Sequence, residues 1–136
     1  MTIAEIMTAK LVTVEKNDTL ERVKLIFDKF KFHHLLVLDE GKLVGVLSDR
    51  DLLRALSPHI GSASETAADR ITLKTRVYQV MSTKLITVPT TMTVEVAANV
   101  MLEYHVSCLP VANDGHLEGI VSWRDFLRAL VTVTKK

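Results

Sequence analysis

Two short stretches of this sequence place a serine and an aspartate at a spacing that suits the first turn of a helix. Ser48 precedes Asp51 by three positions, and Ser122 precedes Asp125 in the same way, 74 residues further along the chain. Each serine ends a run of small and β-branched residues, which is typical of a strand. Unpaired N–H groups at a helix start, together with the helix dipole, favour a bound anion. A chain that makes this junction twice has either two equivalent sites or two equivalent structural joints.

The structural alternative for both stretches is a capping box. In that arrangement the serine side chain accepts from a backbone N–H three residues on, and the acid there accepts from the serine N–H. Such a cap stabilises a helix by roughly 1 kcal/mol. The spacing alone therefore leaves a ligand site and a helix cap both open.

Both stretches belong to a longer internal duplication. A constant offset of 74 aligns Met7–Leu56 with Met81–Leu130 without a gap, and 19 of the 50 aligned pairs are identical. Self-similarity at a fixed period is the signature of a repeat architecture. We divide the chain into a first repeat (1–57), a linker (58–76), a second repeat (77–131) and a tail (132–136).

Each repeat is predicted to contain a helical turn, a strand, a helix, a hairpin and a closing helix. In the first repeat we expect a strand at Leu11–Val14, a helix capped by Asp18, and a hairpin that turns at Gly41. The corresponding strand of the second repeat is Leu85–Val88, and its hairpin turns at Gly115. A repeat this short is poorly stable alone, so we expect the two to pack as one globule around a pseudo-twofold axis. The linker is predicted to be partly helical.

Composition excludes several classes of protein. The 136 residues carry 17 basic and 16 acidic side chains, so no strong field attracts nucleic acid. Apolar runs are too short to span a membrane, and the start lacks the pattern of a signal peptide. The single cysteine fits a reducing compartment. A soluble cytoplasmic protein with no membrane or nucleic-acid partner is the expectation.

The ordered set of motifs, present twice, resembles a tandem pair of CBS domains. The resemblance is carried by the strand Val12–Val14 before an amphipathic helix, the segment His33–Val37 with its counterpart Ser107–Val111, and the Gly-apolar-apolar-Ser-x-x-Asp closure. It implies an α/β fold of two pseudo-twofold-related β-α-β-β-α repeats. It also implies a regulatory module, not an enzyme, that homodimerises and acts on an effector protein. No cofactor is required, and the implied ligands are AMP, ADP, ATP or S-adenosylmethionine, bound in two clefts between the repeats.

The resemblance also assigns roles within the clefts. The closing aspartate would hold the ribose hydroxyls, the nearby serine and helix start would approach phosphate, and strand segments of the opposite repeat would enclose the base. One cleft would be lined by Ser48, Arg50, Asp51, Ile86, Thr87, Val106, Ser107, Cys108 and Leu109. The other would be lined by Ser122, Arg124, Asp125, Val12, Thr13, Phe32, His33, His34 and Leu35.

Each of these candidates has a structural alternative. His33 and His34 could contact phosphate or adenine, or could simply pack. A metal site is disfavoured, because neighbours on a strand point to opposite faces and no third ligand stands at a suitable spacing. Arg50 and Arg124 could pair with phosphate or be solvated.

Four further residues also have both a functional and a structural interpretation. Thr13 and Thr87 could bond the adenine edge, or could be ordinary strand threonines. Cys108 has no His or Asp partner arranged around it, which disfavours a nucleophile and, with it, an enzyme. Trp123 replaces Asp49 and suggests an interface or a stacking lid. Pro110 stands where the first repeat has Leu36, and Ser107 and Cys108 replace His33 and His34, which predicts two clefts of unequal affinity. The rival hypothesis is a ligand-free dimerisation scaffold.

Overall fold

The computed structural model describes residues 1–134, and Lys135 and Lys136 of the predicted tail lie outside them. The helices are α1 (Ile3–Ile6), α2 (Leu20–Lys29), α3 (Asp49–Ala55), α4 (Ala67–Ile71), α5 (Val94–Tyr104) and α6 (Trp123–Thr134). The strands are β1 (Thr13–Glu15), β2 (His34–Asp39), β3 (Lys42–Ser48), β4 (Cys108–Asn113) and β5 (His116–Ser122). Two short 3-10 helices span Thr72–Lys74 and Val77–Gln79. This order is the predicted mixed α/β fold.

The chain divides into two compact units that do not coincide with the two repeats. The first-hairpin unit is Val12–Lys84, and the second-hairpin unit is Met1–Leu11 together with the chain from Leu85 onward. Each unit therefore contains the leading residues of the other repeat.

The first-hairpin unit is built on a three-stranded sheet of order β1-β2-β3. β1 pairs in parallel with β2, and β2 pairs antiparallel with β3 so that His34 stands opposite Ser48. Its core consists of buried aliphatic side chains: Val14, Leu20, Val23, Leu35, Val37, Leu47, Leu52 and Val77. Pairing with β2 and packing against this core thus fix the position of the end of β3, where α3 begins.

The second-hairpin unit has a two-stranded sheet, β4-β5, in which Cys108 stands opposite Ser122. The predicted strand Leu85–Val88 is reduced to a single parallel bridge between Val88 and Val111. In the first-hairpin unit the Lys16 N–H extends the ladder by donating to Leu38 O. Its counterpart, the Thr90 N–H, donates to Asn113 Oδ1 instead, at 3.1 Å, and the ladder ends there.

The leading segments explain why units and repeats differ. Ile3 is fully buried in the core of the second-hairpin unit, and its N–H donates to Met92 O at 2.9 Å. Val77, the equivalent residue of the second repeat, is fully buried in the first-hairpin unit, where its N–H donates to Asp18 O at 2.8 Å. Each repeat therefore contributes its first helical turn to the core of the other.

Both hairpins turn as predicted. Gly41 and Gly115 each have a φ of 81°, and the preceding Glu40 and Asp114 have φ values of 50° and 51°. Two consecutive positive φ angles are typical of the tight hairpin turn whose twist matches the strands.

One predicted cap is off by a residue. Thr19, not Asp18, is the N-cap of α2, and its side chain accepts from the Arg22 N–H. The Asp18 carboxylate accepts from the Glu15 N–H instead, at 2.8 Å, and so closes the turn between β1 and α2. An aspartate beside a threonine offers two capping side chains, and the sequence does not distinguish them.

Within the predicted linker, α4 starts with a capping box formed by Thr66 and Asp69. The Ser57 hydroxyl donates to Asp69 Oδ1 at 2.7 Å and joins the linker to the residues that follow α3. That hydrogen bond is the main cause that lowers the pKa of the Asp69 carboxyl below its ordinary 3.8, and the Thr66 N–H lowers it further. Hydrogen bonds to the Asp69 carboxylate thus connect the linker to the end of the first repeat and favour the ionised form of that group.

A folded-state pKa below the unfolded value means that Asp69 contributes stability above about pH 4 and loses it as the pH falls through the folded pKa. We expect a carboxyl titration by NMR to give Asp69 a pKa below 3.8. Ser57→Ala should raise that pKa, whereas Ser48→Ala, which removes a hydroxyl that does not contact Asp69, should leave it unchanged. A pKa that is insensitive to the Ser57 hydroxyl would contradict this assignment.

Candidate functional site

Ser48 and Asp51 form a complete capping box at the start of α3. The Ser48 N–H donates to Asp51 Oδ2 at 2.9 Å, and the Asp51 N–H donates to Ser48 Oγ at 3.1 Å. Both residues are half-buried, while Arg50 is exposed. The structural alternative predicted for this motif is therefore present, and it leaves Asp51 Oδ1 outside the box.

The two histidines lie beside this cap, in the same unit. His34 stands opposite Ser48 in the β2-β3 ladder. The Asp49 N–H donates to His33 O at 3.0 Å, and Asp49 Oδ2 lies 2.9 Å from His33 Nδ1. Among residues 1–134, no group of three His, Cys, Asp or Glu side chains is arranged to hold a metal ion. The structure thus places an imidazole and two carboxylates around the start of α3.

The second-hairpin unit has the same backbone arrangement with different side chains. The Trp123 N–H donates to Ser107 O at 3.3 Å, which repeats the bond between Asp49 and His33. The Arg124 guanidinium carbon lies 4.6 Å from the Trp123 ring centroid, a cation–π contact. Arg124 Nε is buried and has no hydrogen-bond partner among the described residues. The aromatic ring, and not a hydrogen bond at Nε, therefore positions this arginine.

Asp125 differs most from its counterpart. Its side chain is 6% exposed, and it accepts from the Ser122 N–H at 2.8 Å and from Arg128 Nη1 at 3.0 Å. It borders a cavity of about 250 Å³ that Glu5, Ile6 and Arg128 also line. Arg128 was not among the residues predicted from the sequence. Its signal was the spacing Asp-x-x-Arg, which occurs in both repeats.

The remaining predicted site residues lie on the strands and connections of both units. In the first-hairpin unit Val12, Thr13 and Phe32 are half-buried and Leu35 is buried. In the second-hairpin unit Thr87 and Ser107 are exposed, Ile86 and Val106 are half-buried, and Cys108 and Leu109 are buried. The structure brings the histidines next to Ser48 and Asp51, and Ser107 and Cys108 next to Ser122 and Asp125. The sharing of these residues between two clefts stays a prediction.

A second concave surface lies between α5 and α6. This groove has a volume of about 340 Å³ and is lined by Ala98, Met101, Leu102, Val106, Trp123, Phe126 and Leu127. Leu102 is 74% exposed, and Trp123 and Leu127 are each about half exposed. The groove therefore presents an apolar surface without charged lining residues. Within the described part of the chain, no helix combines the length and apolarity needed to cross a bilayer.

Comparison with known proteins places this architecture in a family. The sequence model of the CBS domain matches the chain twice, at residues 3–58 and 77–132. An uncharacterized protein of Methanocaldococcus jannaschii is 32% identical, and the match covers 96% of this chain and 92% of that protein. The CBS domain-containing protein YhcV of Bacillus subtilis is 28% identical over 90% of this chain and 81% of its own length.

Solved structures agree with the sequence matches. The CBS domain pair of protein MJ0100 superposes with a TM-score of 0.78 and is 26% identical, with 100% of this chain and 98% of that chain covered. That pair was solved in complex with 5′-methylthioadenosine and S-adenosyl-L-methionine. The protein AcuB from Vibrio cholerae superposes with a TM-score of 0.77 at 25% identity, over 99% of this chain and 93% of that chain.

Proposed function

This chain belongs to the CBS domain family, and we propose that it is a regulatory module that binds an adenosine-containing ligand in clefts between its repeats. The candidate ligands are AMP, ADP, ATP and S-adenosylmethionine. The fifth candidate is 5′-methylthioadenosine, which the MJ0100 pair binds. The observation that carries the proposal is the pair of carboxylates, Asp51 and Asp125, held by the same backbone geometry at the start of α3 and α6. The ligands of the MJ0100 pair, which matches along its full length, support the adenosine class.

The proposed roles follow from chemistry that the structure makes available. A carboxylate with an unused oxygen can accept hydrogen bonds from the two adjacent hydroxyls of a ribose. His33 lies within 2.9 Å of Asp49, so its other ring nitrogen is available to a ligand as a donor when the ring is protonated. Thr13 and Thr87 are proposed to contact the base, and Arg50 and Arg124 a phosphate.

We further propose that the module has no catalytic activity of its own and acts in the cytoplasm on an effector protein. If its ligand is AMP, ADP or ATP, it senses energy state. The apolar groove between α5 and α6 supports a homodimer, because its exposed Leu102, Trp123 and Leu127 side chains would gain from burial. Sedimentation of the full chain would test the dimer directly, and a monomer at micromolar concentration would contradict it.

Thermal unfolding with AMP, ADP, ATP, S-adenosylmethionine and 5′-methylthioadenosine, each at 1 mM, tests the ligand proposal. A ligand present at about 100 times its Kd stabilises the folded state by about 2.7 kcal/mol, which raises Tm by several degrees in a chain of this size. Adenine with free ribose, at equal concentrations, is the control for non-specific effects. No shift with any of the five compounds would contradict the proposal.

The second candidate function is a ligand-free dimerisation scaffold. The observation that favours it is the completed capping box at Ser48, which needs no ligand to satisfy its backbone N–H groups. That function predicts a dimer whose Tm is unchanged by all five compounds, and the same two measurements therefore separate the candidates.

A further inference from the structure

We infer that Arg128 closes the Asp125 carboxylate to ligand, so that each chain binds one adenosine-containing ligand through Asp51. The inference rests on the proposed function and sharpens it. It names the carboxylate that receives the ribose and the residue that makes the two repeats unequal.

The acceptor capacity of Asp125 is largely used. A carboxylate offers about four lone-pair sites. Asp125 Oδ2 accepts from the Ser122 N–H at 2.8 Å and lies 3.4 Å from the Ser122 hydroxyl, while Oδ1 accepts from Arg128 Nη1 at 3.0 Å. The side chain is 6% exposed. With the 3.4 Å contact to the Ser122 hydroxyl counted, one lone pair is left, so a pair of ligand hydroxyls would have to displace the guanidinium or that hydroxyl.

Asp51 presents the opposite situation. Its Oδ2 accepts from the Ser48 N–H, and the Ser48 hydroxyl is occupied as the acceptor of the Asp51 N–H. Within residues 1–134, Asp51 Oδ1 accepts no hydrogen bond and no arginine pairs with this carboxylate. The Asp51 side chain is half-buried, whereas that of Asp125 is buried, so a ribose has better access to Asp51.

Both repeats contain the same Asp-x-x-Arg spacing, so the spacing does not explain why Arg128 pairs with Asp125 while Arg54 does not pair with Asp51. The position of each arginine in its helix explains it. Arg54, the counterpart of Arg128, lies in the last turn of α3, which ends at Ala55. There the free carbonyl groups and the negative end of the helix dipole attract a cation away from the first turn. α6 continues to Thr134, so Arg128 lies in mid-helix, where Asp125 is the nearby anion.

A cavity of about 250 Å³ borders the ion pair of Asp125 and Arg128. Arg128 and Asp125 both line it, together with the carboxylate-bearing Glu5 of α1. The Glu5 carboxylate accepts from the Thr2 N–H at 2.6 Å in the cap of α1, and among the described residues Asp125 is the ion-pair partner of Arg128. Arg128 itself is 73% exposed, so solvent screens the ion pair, and a ligand at Asp125 would have to break the Arg128 hydrogen bond to a carboxylate that is only 6% exposed.

Isothermal titration of the full chain with S-adenosylmethionine, 5′-methylthioadenosine, AMP and ATP tests this inference. We expect the wild type to bind one equivalent per chain, and Asp51→Asn to weaken that binding at least about tenfold. Arg128→Gln should add a second equivalent, whereas the matched control Arg54→Gln should leave the stoichiometry at one. The Tm of Arg128→Gln should also lie below that of Arg54→Gln, because only the former leaves a buried carboxylate without its partner.

The outcomes separate this inference from the proposed function. Two equivalent sites in the wild type, or an Arg128→Gln isotherm identical to that of Arg54→Gln, would overturn the inference and leave nucleotide binding intact. Equal Tm values for the two arginine variants would overturn the ion pair itself, without reference to any ligand. No heat with any probe in the wild type or in Arg128→Gln would overturn both the proposed function and the inference.

Discussion

Replacing Ile3 with alanine is expected to raise amide exchange in β4, β5 and α5, although Ile3 belongs to the first repeat of the sequence. Ile3 is fully buried in the second-hairpin unit, in one cluster with Ala97, Leu109 and Val121. Truncating a buried isoleucine to alanine costs about 2–5 kcal/mol, through lost transfer free energy and the cavity left behind. The loss should appear as faster exchange in the elements that the side chain touches, measured by mass spectrometry on the native protein.

Val77→Ala is the matched control, because Val77 occupies the equivalent position of the second repeat. It is fully buried in the core of the first-hairpin unit with Leu20, Leu35 and Leu47. Its truncation removes one carbon fewer than Ile3→Ala and should cost correspondingly less. Exchange should rise in α2, β2 and β3. Faster amide exchange in the first-hairpin unit of Ile3→Ala, and in the second-hairpin unit of Val77→Ala, would contradict the placement of each leading turn in the core of the other repeat.

Gly119→Ala is expected to destabilise the protein by about 2–3 kcal/mol, at the upper end for overpacking. A Cβ at residue 119 would lie 2.6 Å from Thr8 O and 3.0 Å from Met7 Sδ. Thr8 cannot withdraw, because its N–H and C=O both bond to Ile120. Denaturant unfolding should show a lower midpoint with an unchanged slope.

Gly45→Ala provides the comparison. A Cβ there would first meet Met81 Sδ, and Ser82 O only at 3.0 Å. A methionine side chain can move, so this substitution should cost less than Gly119→Ala. In double-mutant cycles, Met81→Ala should relieve much of the Gly45→Ala cost, whereas Met7→Ala should relieve little of the Gly119→Ala cost. Equal rescue at both positions would show that the side chain, not the Thr8 backbone, is the obstacle.

These two predictions concern features that the sequence pattern did not reveal. The gapless repeat and the apolar runs on either side of Gly41 and Gly115 were sufficient to predict both hairpins, because turn chemistry and strand pattern are local. The exchange of Ile3 and Val77 between units is not local. The apolar pattern of each leading turn is the same whether the turn packs in its own repeat or in the other one. Periodicity alone therefore does not predict which core buries Ile3 or Val77.

The local features of the candidate site were predicted from the sequence, and the difference between its two carboxylates was not. The serine and aspartate spacing correctly indicated a cap, since a capping box is made within four residues. The unequal state of the two carboxylates was not predictable. It depends on which arginine side chain reaches its aspartate, and Arg54 and Arg128 follow Asp51 and Asp125 at the same spacing in the sequence. The shortening of the predicted strand Leu85–Val88 was not predictable either. The Asn113 side chain accepts the Thr90 N–H there, and the repeat pattern gives no sign of that hydrogen bond.

The cap and the ligand site are compatible at Asp51. The capping box uses Oδ2, while Oδ1 stays available within the described structure. A ligand can therefore bind without breaking the helix start, and the backbone there is organised before the ligand arrives. Preorganisation of this kind reduces the entropic cost of binding.

A crystal structure of the protein grown with S-adenosylmethionine and 5′-methylthioadenosine tests the central claim most directly. Our account predicts electron density for an adenosine compound whose ribose hydroxyls lie about 2.5–3.0 Å from the Asp51 carboxylate, with the Arg128–Asp125 pair unbroken. Crystals that contain no bound compound at saturating concentration, or a ribose that does not contact Asp51, would contradict it.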